Sequence, residues 1–85
     1  MVNLYIYRHH GRKEWFQNGK RHRLDNPAIE FDGYKFYYQN GKLHRIYGPA
    51  KEWINAGKYW YYQGQYIDCY TQEEFERIIK LRLLW

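Results

Sequence analysis

The segment Asn18-Gly19-Lys20-Arg21-His22-Arg23-Leu24-Asp25-Asn26-Pro27-Ala28 returns 22 residues later as Asn40-Gly41-Lys42-Leu43-His44-Arg45-Ile46-Tyr47-Gly48-Pro49-Ala50, with seven of eleven positions identical. A repeat of that length is one supersecondary unit, and such units bury their apolar sides by stacking on one another. A chain of 85 residues has room for one small array. Arrays of this kind usually present a binding surface.

Inside the unit, Asn18-Gly19 and Asn40-Gly41 are hairpin signals, because a type I′ turn needs positive φ at both central residues. Each follows an aromatic stretch running from glycine to glutamine, Gly11–Gln17 and Gly33–Gln39, and the pattern recurs at Gly57–Gln63. These stretches read as strands. Lys20–Arg23 and Lys42–Arg45 read as the returning strands, and Gly64 keeps a turn after the third copy. Asn26-Pro27 and Gly48-Pro49 read as corners, since proline lacks an amide donor and holds the residue before it extended. Ala28–Phe31 and Ala50–Ile54 resume extended structure, and residues 2–8 supply a first strand. The second interval between the leading glycines is two residues longer than the first, which predicts a wider loop at 54–57.

The period then changes. Thr71-Gln72-Glu73-Glu74 matches a capping box, with acidic residues in the first turn and Lys80 and Arg82 in the last, where the helix dipole favours each. Phe75, Ile78, Ile79 and Leu83 form an apolar stripe at helical spacing, widened by Leu81, Leu84 and Trp85. The reading is a single domain over residues 1–85. It is mostly β, an antiparallel meander of repeated β-hairpins over 2–68 with about seven to nine short strands. One C-terminal amphipathic helix over 71–84 packs on one face.

Cys69 is the only cysteine, which excludes an internal disulfide and a cysteine-rich zinc site and fits a reducing, cytoplasmic setting. No apolar run is long enough to span a bilayer, and the first residues lack a signal-peptide pattern. The chain therefore reads as intact and cytosolic, with no membrane partner. Residues 1–45 carry nine Lys/Arg against four Asp/Glu, while 46–85 carry five of each. The net charge of +5 thus sits on the first half and suits an acidic partner, though it also serves solubility.

Nothing here reads as an enzyme. Ser–His nucleophilic chemistry is excluded because the chain has no serine. Cys69 and Thr71 have no histidine near them in sequence. His22 and His44 stand at equivalent repeat positions on different hairpins, whereas a zinc site needs three or four ligands converging at about 2.0–2.3 Å. The histidines read as structural, bonded to the proline corners, with the following arginines paired to Asp25, Glu30 or Glu52. No catalytic residue, metal ligand or cofactor site is expected.

The Asn-Gly-Lys-x-His-Arg-x-x-Gly-Pro-Ala pattern, with Trp/Tyr-rich strands before it, resembles the short MORN-like repeats of small phage and bacterial proteins. The segment Thr71–Leu81 resembles the helix that closes such arrays. The likeness spans residues 11–82, and the first copy departs from it with Asn26 in place of glycine. The resemblance implies stacked β-hairpins and a phage or prophage origin. Small phage proteins of this size often inhibit host or defence machinery, so it also implies an anti-CRISPR-like role in the host cytoplasm.

Side chains alternate across a strand. Counted from each leading glycine, Glu14/Phe16, Phe36/Tyr38 and Trp60/Tyr62 share the more apolar face, which is assigned to the helix. Lys13/Trp15, Lys35/Tyr37 and Tyr59/Tyr61 share the other. With Arg21, Arg23 and Arg45 they form the expected partner-binding surface. It suits a host or defence protein with an acidic surface, or single-stranded nucleic acid or a nucleotide stacked on the rings. Cross-strand ring packing alone also accounts for the pattern. Exposed meander edges leave room for a monomer or a weak homodimer.

Overall fold

The computed structural model describes residues 3–83. Val2 of the first expected strand, and Leu84 and Trp85 of the helix stripe, lie outside the described residues. Ten strands and one helix follow in order: β1 Leu4–His9, β2 Arg12–Gln17, β3 Lys20–Arg21, β4 Ile29–Phe31, β5 Tyr34–Phe36, β6 Tyr38–Gln39, β7 Lys42–Leu43, β8 Lys51–Trp53, β9 Gly57–Tyr62, β10 Gln65–Ile67 and α1 Gln72–Leu83. The fold is the expected antiparallel meander with a C-terminal helix. The strand number is higher because the second aromatic stretch breaks at Tyr37 into β5 and β6, while the returning strands shorten to Lys20–Arg21 and Lys42–Leu43. Eight strands form one sheet with the path β1-β2-β4-β5-β8-β9-β10 and β3 beside β2, and β6 and β7 form a small ribbon.

Tight turns set the register. His10-Gly11, Asn18-Gly19, Asp32-Gly33, Asn40-Gly41 and Gln63-Gly64 each hold positive φ at both residues, the type I′ geometry whose twist matches the flanking strands. Between turns, each corner is a detour out of one interrupted strand. His22 N–H donates to the Trp15 carbonyl and Trp15 N–H donates to the Ala28 carbonyl, so the chain leaves β2 and returns to the same residue of it. His44, Tyr37 and Ala50 repeat this arrangement. The repeated Pro-Ala pair lies inside the fold: Ala28 and Ala50 are fully buried, and Pro27 and Pro49 are buried beside them. Successive units are then bolted together by histidine. Asn40 N–H donates to His22 Nδ1 at 3.0 Å, and Gln63 N–H donates to His44 Nδ1 at 2.8 Å. The imidazoles, expected at the proline corners, instead accept the turn amide of the next hairpin.

Helix α1 begins as its capping box predicts. Thr71 Oγ1 accepts the Glu74 N–H at 3.1 Å, and the Glu74 carboxylate accepts from Thr71 Oγ1 and from the Tyr70 amide. Phe75 and Ile79 pack with Trp60, Ile67 and Cys69 into a buried cluster, flanked by Tyr62 and Ile78. Gln72 clamps the helix start: its Oε1 accepts from Trp60 Nε1 and its Nε2 donates to the Ile46 carbonyl, both at 2.8 Å.

The third aromatic strand sits one residue away from the expected alignment. The β8–β9 turn over 54–56 absorbs one of the two extra residues. The second moves Gln63, not an asparagine, into the positive-φ turn position. Phe36 opposite Ile29 thus corresponds to Tyr59 opposite Lys51, and Trp60 is the counterpart of Tyr37 and Trp15. A one-residue shift sends every side chain to the other face. The helix does cover Trp60 and Tyr62 as expected. Because those residues share a face with Trp15 and Tyr37, the open face is the opposite one.

Candidate interaction face

Cross-strand partners share a face, so the register sorts the side chains. One face carries a ladder of alternating charge, Lys13–Glu30–Lys35–Glu52–Lys58, with Arg8 beside Lys13. Behind the ladder stand Trp15, Tyr37 and Trp60, and each has a lid. Arg23 lies 3.9 Å from the Trp15 ring centre and Arg45 lies 3.8 Å from that of Tyr37. Each guanidinium also donates to its corner's proline carbonyl at 3.2 Å and pairs with a ladder acid, Arg23 with Glu30 at 3.5 Å and Arg45 with Glu52 at 3.2 Å. Trp60 has no such arginine and is covered by α1. Burial raises the Tyr37 phenol above its ordinary pKa, with the Arg45 charge opposing that rise.

The other face has no second layer among the described residues. The molecule extends 38 × 36 × 16 Å, and these rings lie on its flat side. Tyr5 and Tyr7 of β1 lead to Phe16, then to Phe31, Tyr34, Phe36 and Trp53, and on to Tyr59, Tyr61 and Tyr66. The rings touch in two groups, Tyr5 with Phe16 and the linked set from Phe31 to Tyr66, with the Arg12–Glu14–Arg21 ion cluster between them. Tyr5 stacks on Phe16 at 4.9 Å, and Trp53 meets Tyr34, Phe36 and Tyr59 edge to face at 5.6–6.4 Å. Tyr66 closes the row against Tyr59 and Tyr61. Arg21 reaches over Phe16 and Tyr38, and Lys51 sits between Phe36, Trp53 and Tyr61. Glu14 is buried under Arg12 and Arg21 at 3.2 and 2.8 Å, so this face's buried acid is matched by two cations. The Trp53 indole N–H is buried without an acceptor among the described residues.

The nine residues expected to bind a partner therefore divide. Tyr59, Tyr61 and Arg21 lie on the open aromatic face. Lys13, Trp15, Lys35 and Tyr37 lie on the face shared with the helix, where Arg23 and Arg45 cap the rings and hold the corners. The expected single surface fails because the third strand is shifted by one residue. Residues the sequence reading left out of the surface supply most of the open face, above all Phe16, Phe36, Trp53 and Tyr66. Aligning the third copy on Gln63-Gly64 instead of Gly57 places them correctly.

No group of three or more His, Cys, Asp or Glu is poised to hold a metal among the described residues. Burial lowers the pKa of His44, which keeps Nδ1 an acceptor. Cys69, two residues before the helix cap, is buried. Its pKa is raised by burial first and by the Glu74 and Asp68 charges next, which disfavours the nucleophilic thiolate. Among the described residues no helix is long and apolar enough to cross a membrane. Comparisons of the chain with protein-family models, curated proteins and solved structures found no match.

Proposed function

We propose that this chain is a non-enzymatic interaction protein that docks the acidic surface of a protein partner on its open aromatic face. The observation that carries this reading is the linked cluster of exposed and half-buried rings from Phe31 to Tyr66, uncovered among the described residues, with the Tyr5–Phe16 stack beyond the Arg12–Glu14–Arg21 cluster on the same face. Continuous apolar surface rimmed by polar groups marks an interaction site. Tyr, Trp and Arg are the residues that dominate binding energy at protein interfaces. Arg12, Arg21 and Lys51 surround the rings, and the net charge of +5 steers acidic partners.

Single-stranded nucleic acid fits less well. Base stacking uses free ring faces, and here several are already occupied. Phe16 has Tyr5 stacked on it and Arg21 against it, while Lys51 lies over Phe36, Trp53 and Tyr61. The resemblance to MORN-like repeats extends the proposal: the partner is a host or anti-phage defence protein, and docking inhibits it in the host cytoplasm.

The test compares three immobilised proteins in capture from bacterial lysate: wild type, Tyr34→Ser/Tyr66→Ser on the open face, and Lys13→Ala/Lys35→Ala on the covered face. The expected result is a partner held by wild type and the lysine variant but weakened by about tenfold or more, ~1.4 kcal/mol, in the tyrosine variant. A partner kept by the tyrosine variant and lost by the lysine variant would place the site on the helix side.

A further inference from the structure

We propose that the free edge of β1 pairs with the same edge of a second copy of this chain, antiparallel about a two-fold axis between the two Ile6 residues. The backbone directions set this up. Asn18 N–H donates to the Asn3 carbonyl, while Trp15, opposite Ile6, spends its amide and carbonyl on the far side with Ala28 and His22. Alternation then turns Asn3, Tyr5, Tyr7 and His9 towards β2 and leaves the amides and carbonyls of Leu4, Ile6 and Arg8 facing outward. All six residues of β1 are exposed. The strand has no proline or lysine, and its six residues pair one for one with β2, without a bulge. Edges left unguarded in this way pair with other chains.

A second copy fits because the strand is complementary to itself. With Ile6 opposite Ile6, Leu4 lies opposite Arg8, and every outward amide and carbonyl of these three residues meets one from the other copy. Tyr5 lies opposite Tyr7, which continues the open aromatic face without a step. On the helix side, each copy holds a groove of about 680 Å³ lined by Leu4, Ile6, Trp15 and Leu24, with Arg8 and Arg23 among its walls. The two grooves meet at the axis. Leu4 and Leu24, 67% and 65% exposed in one copy, thereby gain apolar neighbours.

Charge selects the register. In the centred pairing the two Arg8 residues stand about 13 Å apart along the strand, beyond a Debye length of about 8–10 Å. Sliding by two residues to place Arg8 opposite Ile6 brings them to about 7 Å. Pairing β1 with β10 of another copy is poorer. β10 is three residues long, is followed by Asp68, and has Arg82 of the helix bonded to its Gln65 side chain.

Sedimentation equilibrium over the micromolar-to-millimolar range tests the proposal. Wild type is expected to form a dimer, more tightly at high salt because both copies are cationic. Ile6→Lys and Ile6→Glu are each expected to remain monomeric, and an equimolar mixture of the two to dimerise, since opposite charges then face each other across the axis. Circular dichroism checks that both variants fold; Ile6 is 44% exposed, so its replacement leaves the core intact. Wild type that stays monomeric at high salt overturns the pairing. So does a dimer that Ile6→Lys leaves unchanged, or one broken by Tyr34→Ser/Tyr66→Ser but not by the Ile6 variants.

Discussion

Replacing Arg45 by alanine separates its role in the fold from a role in binding. The guanidinium lies 3.8 Å from the Tyr37 ring centre, donates to the Pro49 carbonyl at 3.2 Å, and pairs with Glu52 at 3.2 Å. A partly desolvated cation–π contact contributes about 1 kcal/mol. The ion pair is partly exposed and adds roughly 0.2–1 kcal/mol. Removing the donor strands the Pro49 carbonyl at a buried corner, at about 1–3 kcal/mol. These effects share one group and overlap, so the expected loss is about 2–3 kcal/mol, against roughly 4–13 kcal/mol for a domain of this length. In thermal unfolding that is a drop of about 10–20 °C. Arg45→Lys keeps the charge but loses the planar stack and the fork, and is expected to fall between. Arg23→Ala is expected to cost less, because its acid stands farther off at 3.5 Å. An Arg45→Ala protein with the melting temperature of wild type would refute the account of the corners as arginine-held lids.

Three further outcomes follow from the same geometry. His44 is buried with its Nδ1 accepting the Gln63 amide and has a lowered pKa, so the unfolded chain takes up a proton that the folded chain resists. Its contribution is complete above the ordinary histidine pKa near 6.5 and declines as pH falls below that value; urea titrations of wild type and His44→Asn at pH 7.5 and 5.5 should show a larger decline for wild type. Gln63 holds φ 48°, where asparagine is tolerated better, so Gln63→Asn is expected to raise stability by up to about 1 kcal/mol, read from the urea midpoint. Cys69 should react with an aromatic disulfide reagent far more slowly in the folded protein than in denaturant, and equal rates would contradict its burial.

The hairpins and the helix start were legible because their signals are local. Asn-Gly demands its turn wherever it stands, and Thr71 and Glu74 are close enough to bond without help from the fold. The corner lids were half legible. Trp15 and Arg23 have the same spacing as Tyr37 and Arg45, but that the arginine returns over the ring depends on a detour closed by hydrogen bonds to Ala28 and Ala50. The face was misread for a definite reason. Gly57 resembles Gly33 in sequence, yet in the fold it is the first residue of β9 and the counterpart of Tyr34, whereas Gly33 is a turn residue. A leading glycine marks the start of a stretch loosely, whereas the turn pair Gln63-Gly64 fixes it. His22 and His44 were placed at the wrong partner because their acceptor role reaches into the neighbouring unit, which no single unit displays.

The histidine bolts also make the unit additive. His22 offers its nitrogen to whichever turn comes next, and Asn40 and Gln63 both serve, although they differ in side chain. Neither β1 nor α1 takes part in that junction. A further copy of the 22-residue segment spliced in after Gln39 would therefore find both junctions already compatible. It would widen the sheet by two strands, about 9–10 Å, and leave β1 and the helix cap as they are. The chain has a width that can be dialled in steps, with its two borders unchanged.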